Sequence, residues 1–338
     1  MERKADVALR ETITRLKNRE FKYVARDEKP IDWRAYNKAQ LSDLRFFLTQ
    51  ARQLVDRAAA LLPATPNGVG RPRKEASDVA KAVLLMEYLQ VSERAASDWA
   101  WVFKEKLGIA VELSPRSIGR GFENEDVQFI LLKVFEWTRD AFSKAEKTVA
   151  VDATGVSESI KENYESVKSG DASKAASFLK LSLGVGVECH GVSAFAFTRG
   201  VGDSPLFEPL LEETISSWHF VDSVCADAGY LSRRNCQAAA NAGLTPFIFP
   251  KAGITLKQRG SPAWKTMLVL MVQAPQTWLA AYHLRSESET VNSCLARRFR
   301  KLSCRKESNK RFEETTRIIL HNLRQLNTAI HENKLKQF

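Results

Sequence analysis

The sequence predicts an α/β fold, a mixed sheet flanked by helices and preceded by an all-helical region. Three observations lead there. Residues 1–146 carry apolar side chains at helical spacing over most of their length. From Lys147 the texture changes to short apolar runs bounded by Gly and Pro. Those runs follow the order of three strands, helix, strand, helix, strand and further helices, which suits a sheet opening with an antiparallel meander.

The helical region divides at Pro63-Ala-Thr-Pro-Asn-Gly-Val-Gly70, a break that ends the apolar pattern of residues 41–62. Three short helices are expected next. Residues 77–90 place Val79, Val83, Met86 and Leu89 on one face; residues 92–107 do the same with Ala95, Trp99, Val102 and Phe103. Trp99 and Trp101 read as bundle core and bundle rim in preference to base-stacking platforms. Ser114-Pro115 opens the third helix, residues 114–124, and residues 127–145 form a fourth. Short helices with tight connections suit a helix-turn-helix DNA reader or a plain bundle equally. The expected domains are 1–69, 70–146 and 147–338.

In the third domain, Thr148-Val-Ala-Val-Asp152 reads as a buried strand that Asp152 ends. Residues 181–188 and 192–198 form a hairpin through Cys189-His-Gly191. A helix over 207–217 precedes a strand, 221–227, closed by Asp227. A helix over 231–242 stops at Gly243, and the strand 245–249 stops at Pro250. Residues 251–281 are expected to form a helical insertion packed on the sheet.

Composition narrows the function classes. Apolar residues at 44% and charged residues at 27% describe a globular chain. The net charge of +11 favours polyanionic partners, nucleic acid or anionic membrane. The five cysteines lack C-x-x-C pairing and metal-ligand spacing, so they read as reduced and mostly core-filling, consistent with cytoplasm. The N-terminus, Met-Glu-Arg-Lys-Ala-Asp, lacks the apolar core of a signal peptide. The most apolar stretch, residues 267–282, is interrupted by Gln273, Pro275, Gln276 and Thr277 and reads as a buried helix rather than a membrane span. Leu183-Gly-Val-Gly186 lacks the third glycine and the helix of a dinucleotide loop.

Acidic residues at strand ends, joined by one on a nearby helix, are what metal-assisted phosphodiester cleavage requires. Two Mg²⁺ ions about 3.5–4 Å apart activate the attacking oxygen and neutralise the phosphate, and they bind carboxylate oxygens. Asp152 and Asp227 each close an apolar strand. Tyr282, Arg285 and Glu289 fall at i, i+3 and i+7, on one face of a helix. There Glu289 suits a metal, Arg285 a phosphate fork, and Tyr282 a base or backbone contact. An ordinary surface helix with an Arg/Glu pair fits the same spacing.

Tyr282-His-Leu-Arg285-Ser-Glu-Ser-Glu289 resembles the Tyr-x₂-Arg-x₃-Glu helix of insertion-sequence DDE transposases. Asp152 in Val-Asp-Ala-Thr-Gly and Asp227 in Ala-Asp-Ala-Gly-Tyr match the two upstream aspartates, and Gly202-Asp-Ser-Pro205 resembles the turn before the helix that precedes the second. The resemblance covers residues 147–301 and, more loosely, the region from Gly70. It implies an RNase H-like fold and a catalytic trio of Asp152, Asp227 and Glu289 holding two Mg²⁺ or Mn²⁺ ions. It also implies cutting of transposon ends in double-stranded DNA, strand transfer, and a homodimer holding both ends. The family pattern has Lys after six further residues, where this sequence has Ala296; the neighbouring Arg297 has an arm long enough to cover that charge.

Further basic groups are candidate DNA contacts. Arg71 and Arg73 lie in Gly70-Arg-Pro-Arg-Lys74, which fits a minor-groove arm or a plain basic linker. Lys174 and Lys180 precede the second strand. Residues 297–311 hold eight basic residues and one Glu, a phosphate track or a solvated face. A cutting enzyme that does not join, and a DNA-binding relic of a transposase, are the rival readings. Localisation is expected to be cytoplasmic, at the nucleoid.

Overall fold

A computed structural model describes residues 4–22, 31–63, 73–158 and 178–336. The linker after Pro63, with Arg71, and the stretch containing Lys174 lie outside them. The chain forms two compact units and passes between them more than once: one comprises Met1–Ile31, Phe142–Gly155 and Lys180–Ser293, the other Asp32–Ala141, Val156–Leu179 and Cys294–Phe338.

The first unit is built on a five-stranded sheet of order β3-β2-β1-β4-β5, with β1 Thr148–Ser157, β2 Phe178–Gly186, β3 Val192–Thr198, β4 Ser223–Ala226 and β5 Thr245–Ile248. β2 and β3 are antiparallel, whereas β1–β4 and β4–β5 are parallel. The central strands are apolar on both faces, as a covered parallel sheet demands: Val149, Ala150, Val151, Val224, Cys225 and Ala226 are all buried. The mixed sheet and its helices are consistent with an RNase H-like fold. The hairpin expected at Cys189-His-Gly191 is present, and His190 there adopts positive φ.

β1 does not end at Asp152. Its buried half stops at Val151, but the strand continues to Ser157 with progressively exposed side chains. Ala153, Thr154 and Val156 are compatible with extended backbone, and Gly155 does not break it. Asp152 therefore marks the edge of the core rather than the end of the strand.

Helices α8 Phe207–Ile215 and α9 Arg233–Asn241 provide the crossovers before β4 and β5. Ser232 caps α9 through the Asn235 N–H at 3.0 Å, and Gly243 ends the turn that follows in the left-handed region. The insertion is helical only from Pro262. It comprises α10 Pro262–Gln273 and α11 Pro275–His283, separated at Ala274 because Pro275 lacks an N–H and keeps the preceding residue out of helical geometry. α11 packs on β4 and β5. Helix α1 Lys4–Lys17 packs on α10, and Asp6 accepts the Leu256 N–H at 2.9 Å.

Among the described residues the second unit is helical: α2 Trp33–Ala59, α3 Ala76–Leu89, α4 Glu93–Val102, α5 Lys104–Leu107, α6 Pro115–Gly119, α7 Glu125–Asp140 and the long α13 Glu307–His331. α2 begins earlier than its apolar pattern indicated, with Asp32 accepting the Ala35 N–H at 2.9 Å. The helix expected over 92–107 breaks at Phe103, and the one over 114–124 finishes as a 3₁₀ turn, Gly121–Glu123. Trp99 is not in the core: α4 buries Ala96 and Ala100, which leaves Trp99 and Trp101 about two-fifths exposed. Trp99 stacks on Phe103, and Lys104 sits over Trp101. α13 packs against α2, α3 and α7 and carries a buried Arg317. That guanidinium donates to Glu87 at 3.0 Å, Glu313 at 2.7 Å and Glu314 at 3.3 Å. Burial pushes the carboxyls of Glu87 and Glu314 upward, the latter to about 7, against the pull of Arg317. No helix among the described residues is long and apolar enough to cross a membrane.

Two stability predictions follow from buried charge. Arg317→Met strands its partner carboxylates and is expected to destabilise the protein by about 3–5 kcal/mol in urea unfolding; a change below about 1 kcal/mol would show that the cluster contributes no net stability. In the first unit, Glu146 accepts the N–H groups of Glu188 at 2.7 Å and Cys189 at 2.8 Å, yet burial raises its pKa to about 7. A carboxyl raised on folding stabilises most when protonated. Its contribution is full below pH 4.5 and is lost as pH rises through about 7. The melting temperature of Glu146→Gln is thus expected to fall less between pH 5 and pH 8 than that of wild type; parallel profiles would contradict the raised pKa.

Candidate active site

The site begins with strand register. β1 and β4 pair in parallel from Thr148↔Ser223 to Val151↔Ala226. Asp152 and Asp227 each follow the last pair, so they stand side by side where β4 ends and β1 runs on, with backbones about 4.8 Å apart. Asp227 turns the chain into the 3₁₀ turn Ala228–Tyr230 and accepts the Gly229 N–H at 2.7 Å. Asp152 is half-buried and accepts from the Asn292 amide at 3.2 Å. Its pKa is raised, first by burial and then by the charges of Asp227 and Glu289; the Ala153 N–H and Arg285 work the other way.

Tyr282, Arg285 and Glu289 do not share one uninterrupted helix. Tyr282 belongs to the last turn of α11, Arg285 to the junction, and Glu289 to α12 Ser286–Arg298. The junction tightens into i→i+3 hydrogen bonds, Arg285 N–H to Tyr282 and Ser288 N–H to Arg285. Ser286 and Ser288 hydroxyls donate to the His283 and Arg285 carbonyls at 2.8 and 2.7 Å, competing with the helical pattern. The three side chains still meet. Arg285 pairs with Glu289 at 2.7 Å and lies 5.9 Å from the Tyr282 ring centre. Tyr282 is stacked on Trp278 and tilted against Phe249, and its phenol is pushed up chiefly by burial. The pKa of Arg285 is raised: burial opposes its charge, but Tyr282, Glu289 and Asp152 outweigh that. Cys225, two residues before Asp227, donates its thiol to the Ala281 carbonyl at 3.2 Å and so ties β4 to α11.

The model of the transposase DDE domain matches residues 143–323. The chain belongs to that family. No curated protein matches it. All three acidic residues of the expected trio fall within the matched DDE domain.

The donor set of this transposase suits a hard divalent cation, since carboxylate and amide oxygens are its preferred ligands. Among the described residues no three Asp, Glu, His or Cys side chains converge closely enough to hold an ion. Glu289 is instead turned to Arg285 and Asp152 to Asn292.

The remaining candidates are scattered differently. Lys180 lies within β2 rather than ahead of it, 2.5 Å from Asp203, and donates to the Val201 carbonyl at 2.8 Å. Arg297 is exposed on α12, eight residues beyond Glu289, with Cys294 Sγ 3.7 Å away. Arg73 is exposed ahead of α3. Arg71 and Lys174 fall outside the described residues. All five cysteines are thiols, outside any disulfide. His190 bonds to Glu287 at 2.8 Å.

Asn292 escaped the sequence reading, although it stands at i+3 from Glu289 and so on the same side of α12. Its amide oxygen is buried without a hydrogen-bond partner while its nitrogen holds Asp152. Asn292→Leu is expected to lower metal-dependent DNA cleavage about 10–100-fold, the usual effect of removing a group that orients a ligand. DNA affinity in the same variant is expected to stay unchanged. Cleavage within a factor of two of wild type would remove Asn292 from the site.

Proposed function

We propose that this transposase cuts DNA at the ends of an insertion sequence and transfers the freed 3′-hydroxyls to target DNA by two-metal phosphoryl transfer. The carrying observation is the β1–β4 register, which sets Asp152 beside Asp227, together with the closeness of Glu289 and Arg285. Mg²⁺ or Mn²⁺, when bound, supplies Lewis-acid activation and charge neutralisation. Asp152, Asp227 and Glu289 would hold the ions through their carboxylate oxygens. Arg285 is placed to exchange Glu289 for phosphate oxygens, which a guanidinium fork binds in the same geometry. Tyr282, fixed by Trp278 and Phe249, presents a rigid aromatic edge for the DNA backbone or a base.

In this reading residues 1–69 and 70–146 form the helical regions that recognise transposon ends, and 147–338 the catalytic domain. Arg71, Arg73, Lys174, Lys180 and Arg297 add phosphate contacts. Because one site acts on one end, a homodimer in the DNA complex is the working form, in the cytoplasm at the nucleoid. A second reading, a DNA-binding relic that no longer cuts, is favoured by Ala296, which puts a methyl where the family pattern has a cation.

A labelled duplex carrying the element's terminal repeat tests this with Mn²⁺ and Mg²⁺. Wild type is expected to cut at the repeat boundary and yield joined product, and Glu289→Gln to bind equally and leave the DNA whole. Cutting without joining would make the chain a nuclease. Binding by both proteins with cleavage by neither would support the relic. The +11 charge also predicts affinity that falls steeply and log-linearly with salt, measurable by fluorescence anisotropy.

A further inference from the structure

Asp203 stands outside the trio, in the Gly202-Asp-Ser-Pro205 turn ahead of α8, but the structure brings it to Asp227. Its Oδ2 lies 2.7 Å from where a Gly229 β-carbon would stand, and Asp227 Oδ1 lies 2.9 Å from the same point. The two carboxylates are therefore within about 6 Å, the range in which like charges disfavour one another strongly. Only hydrogen on Gly229 leaves room for both. Their proximity is enforced by Asn235, whose amide donates to the Ser204 carbonyl at 2.9 Å and to the Tyr230 carbonyl at 2.7 Å, fastening the two turns together.

Two further groups complete the arrangement. Tyr230 is buried, and its hydroxyl, with Ser182 beside it, makes no well-aligned hydrogen bond while it feels the charges of Asp203, Asp152 and Asp227. A buried hydroxyl without an aligned partner, in the field of nearby carboxylates, is an incompletely satisfied polar group beside negative charge. Lys180 lies 2.5 Å from Asp203 Oδ1, yet that oxygen accepts no well-aligned hydrogen bond, so the contact is chiefly one of charge.

We propose that Asp203 is a fourth carboxylate of the divalent-cation site, acting beside Asp227, with Lys180 as its counter-charge before the cation binds. This rests on the assignment of Asp152 and Asp227 as cation-holding residues.

The test is Mn²⁺ binding to full-length protein without DNA, followed by loss of the free-ion electron paramagnetic resonance signal, with metal-free melting temperatures as the folding control. Asp203→Asn is expected to weaken binding about 10-fold, the scale of losing one ligand or its close support. Lys180→Met, which removes a repelling cation, is expected to tighten it several-fold. The double variant separates charge from ligation, because its net charge equals that of wild type: it is expected to remain weak, since the Asp203 oxygen is gone. Wild-type affinity in Asp203→Asn, or in the double variant, with affinity lost in Asp227→Asn, would overturn the proposal and leave the trio standing. Unchanged affinity in Asp152→Asn and Asp227→Asn as well would instead sink the assignment on which it rests.

Discussion

The parallel pairing of β1 with β4 is the constraint from which the rest of the site follows. Both strands are buried between layers, and a one-residue slip would move every side chain to the opposite face. Because the ladder runs Thr148↔Ser223 through Val151↔Ala226, the two aspartates stand side by side just past the last pair, at the edge of the buried core. Apolar packing thereby performs an electrostatic task, holding two like charges side by side. The neighbouring pieces are attached to this ladder: α11 through the Cys225 thiol and its packing on β4, the Asp227 turn through Gly229.

Charge in the site is held in balance rather than cancelled. Burial and mutual repulsion raise the pKa of Asp152, while Arg285 counters both. The same guanidinium is paired with Glu289, so one cation serves carboxylates on a strand and on a helix. In the helical unit Arg317 plays a comparable part among Glu87, Glu313 and Glu314, but there every partner is buried and the role is architectural. The difference lies in access: Glu289 is more than half exposed, whereas the Arg317 partners are closed off from solvent.

The succession of strands and helices along the chain was legible because Gly, Pro and apolar runs punctuate residues 147–250 sharply. Less legible were features decided by local competition. The break between Tyr282 and Glu289 arises from Ser286 and Ser288 hydroxyls capturing backbone carbonyls, which a count of helical spacing does not register. Trp99 was assigned to a core by periodicity, but α4 is short and two alanines suffice to seat it. Asp152 was read as a strand end because the apolar run ends there, and burial and extended geometry part company at that residue. Asn292 and Asp203 gain their place only through folding: one bonds to a residue 140 positions away, and the other reaches Asp227 through two separate turns.

Cys225 carries a consequence of a different kind. Its thiol is buried in the central sheet, and burial pushes its pKa up to about 12, so it is almost entirely protonated and shielded from reagents. It becomes reactive only when β4 parts from α11, the same parting that would scatter Asp227 and Arg285. The molecule thus contains an internal clock: the rate at which Cys225 is alkylated reports how often this part of the sheet comes apart, with no label introduced beside Asp227.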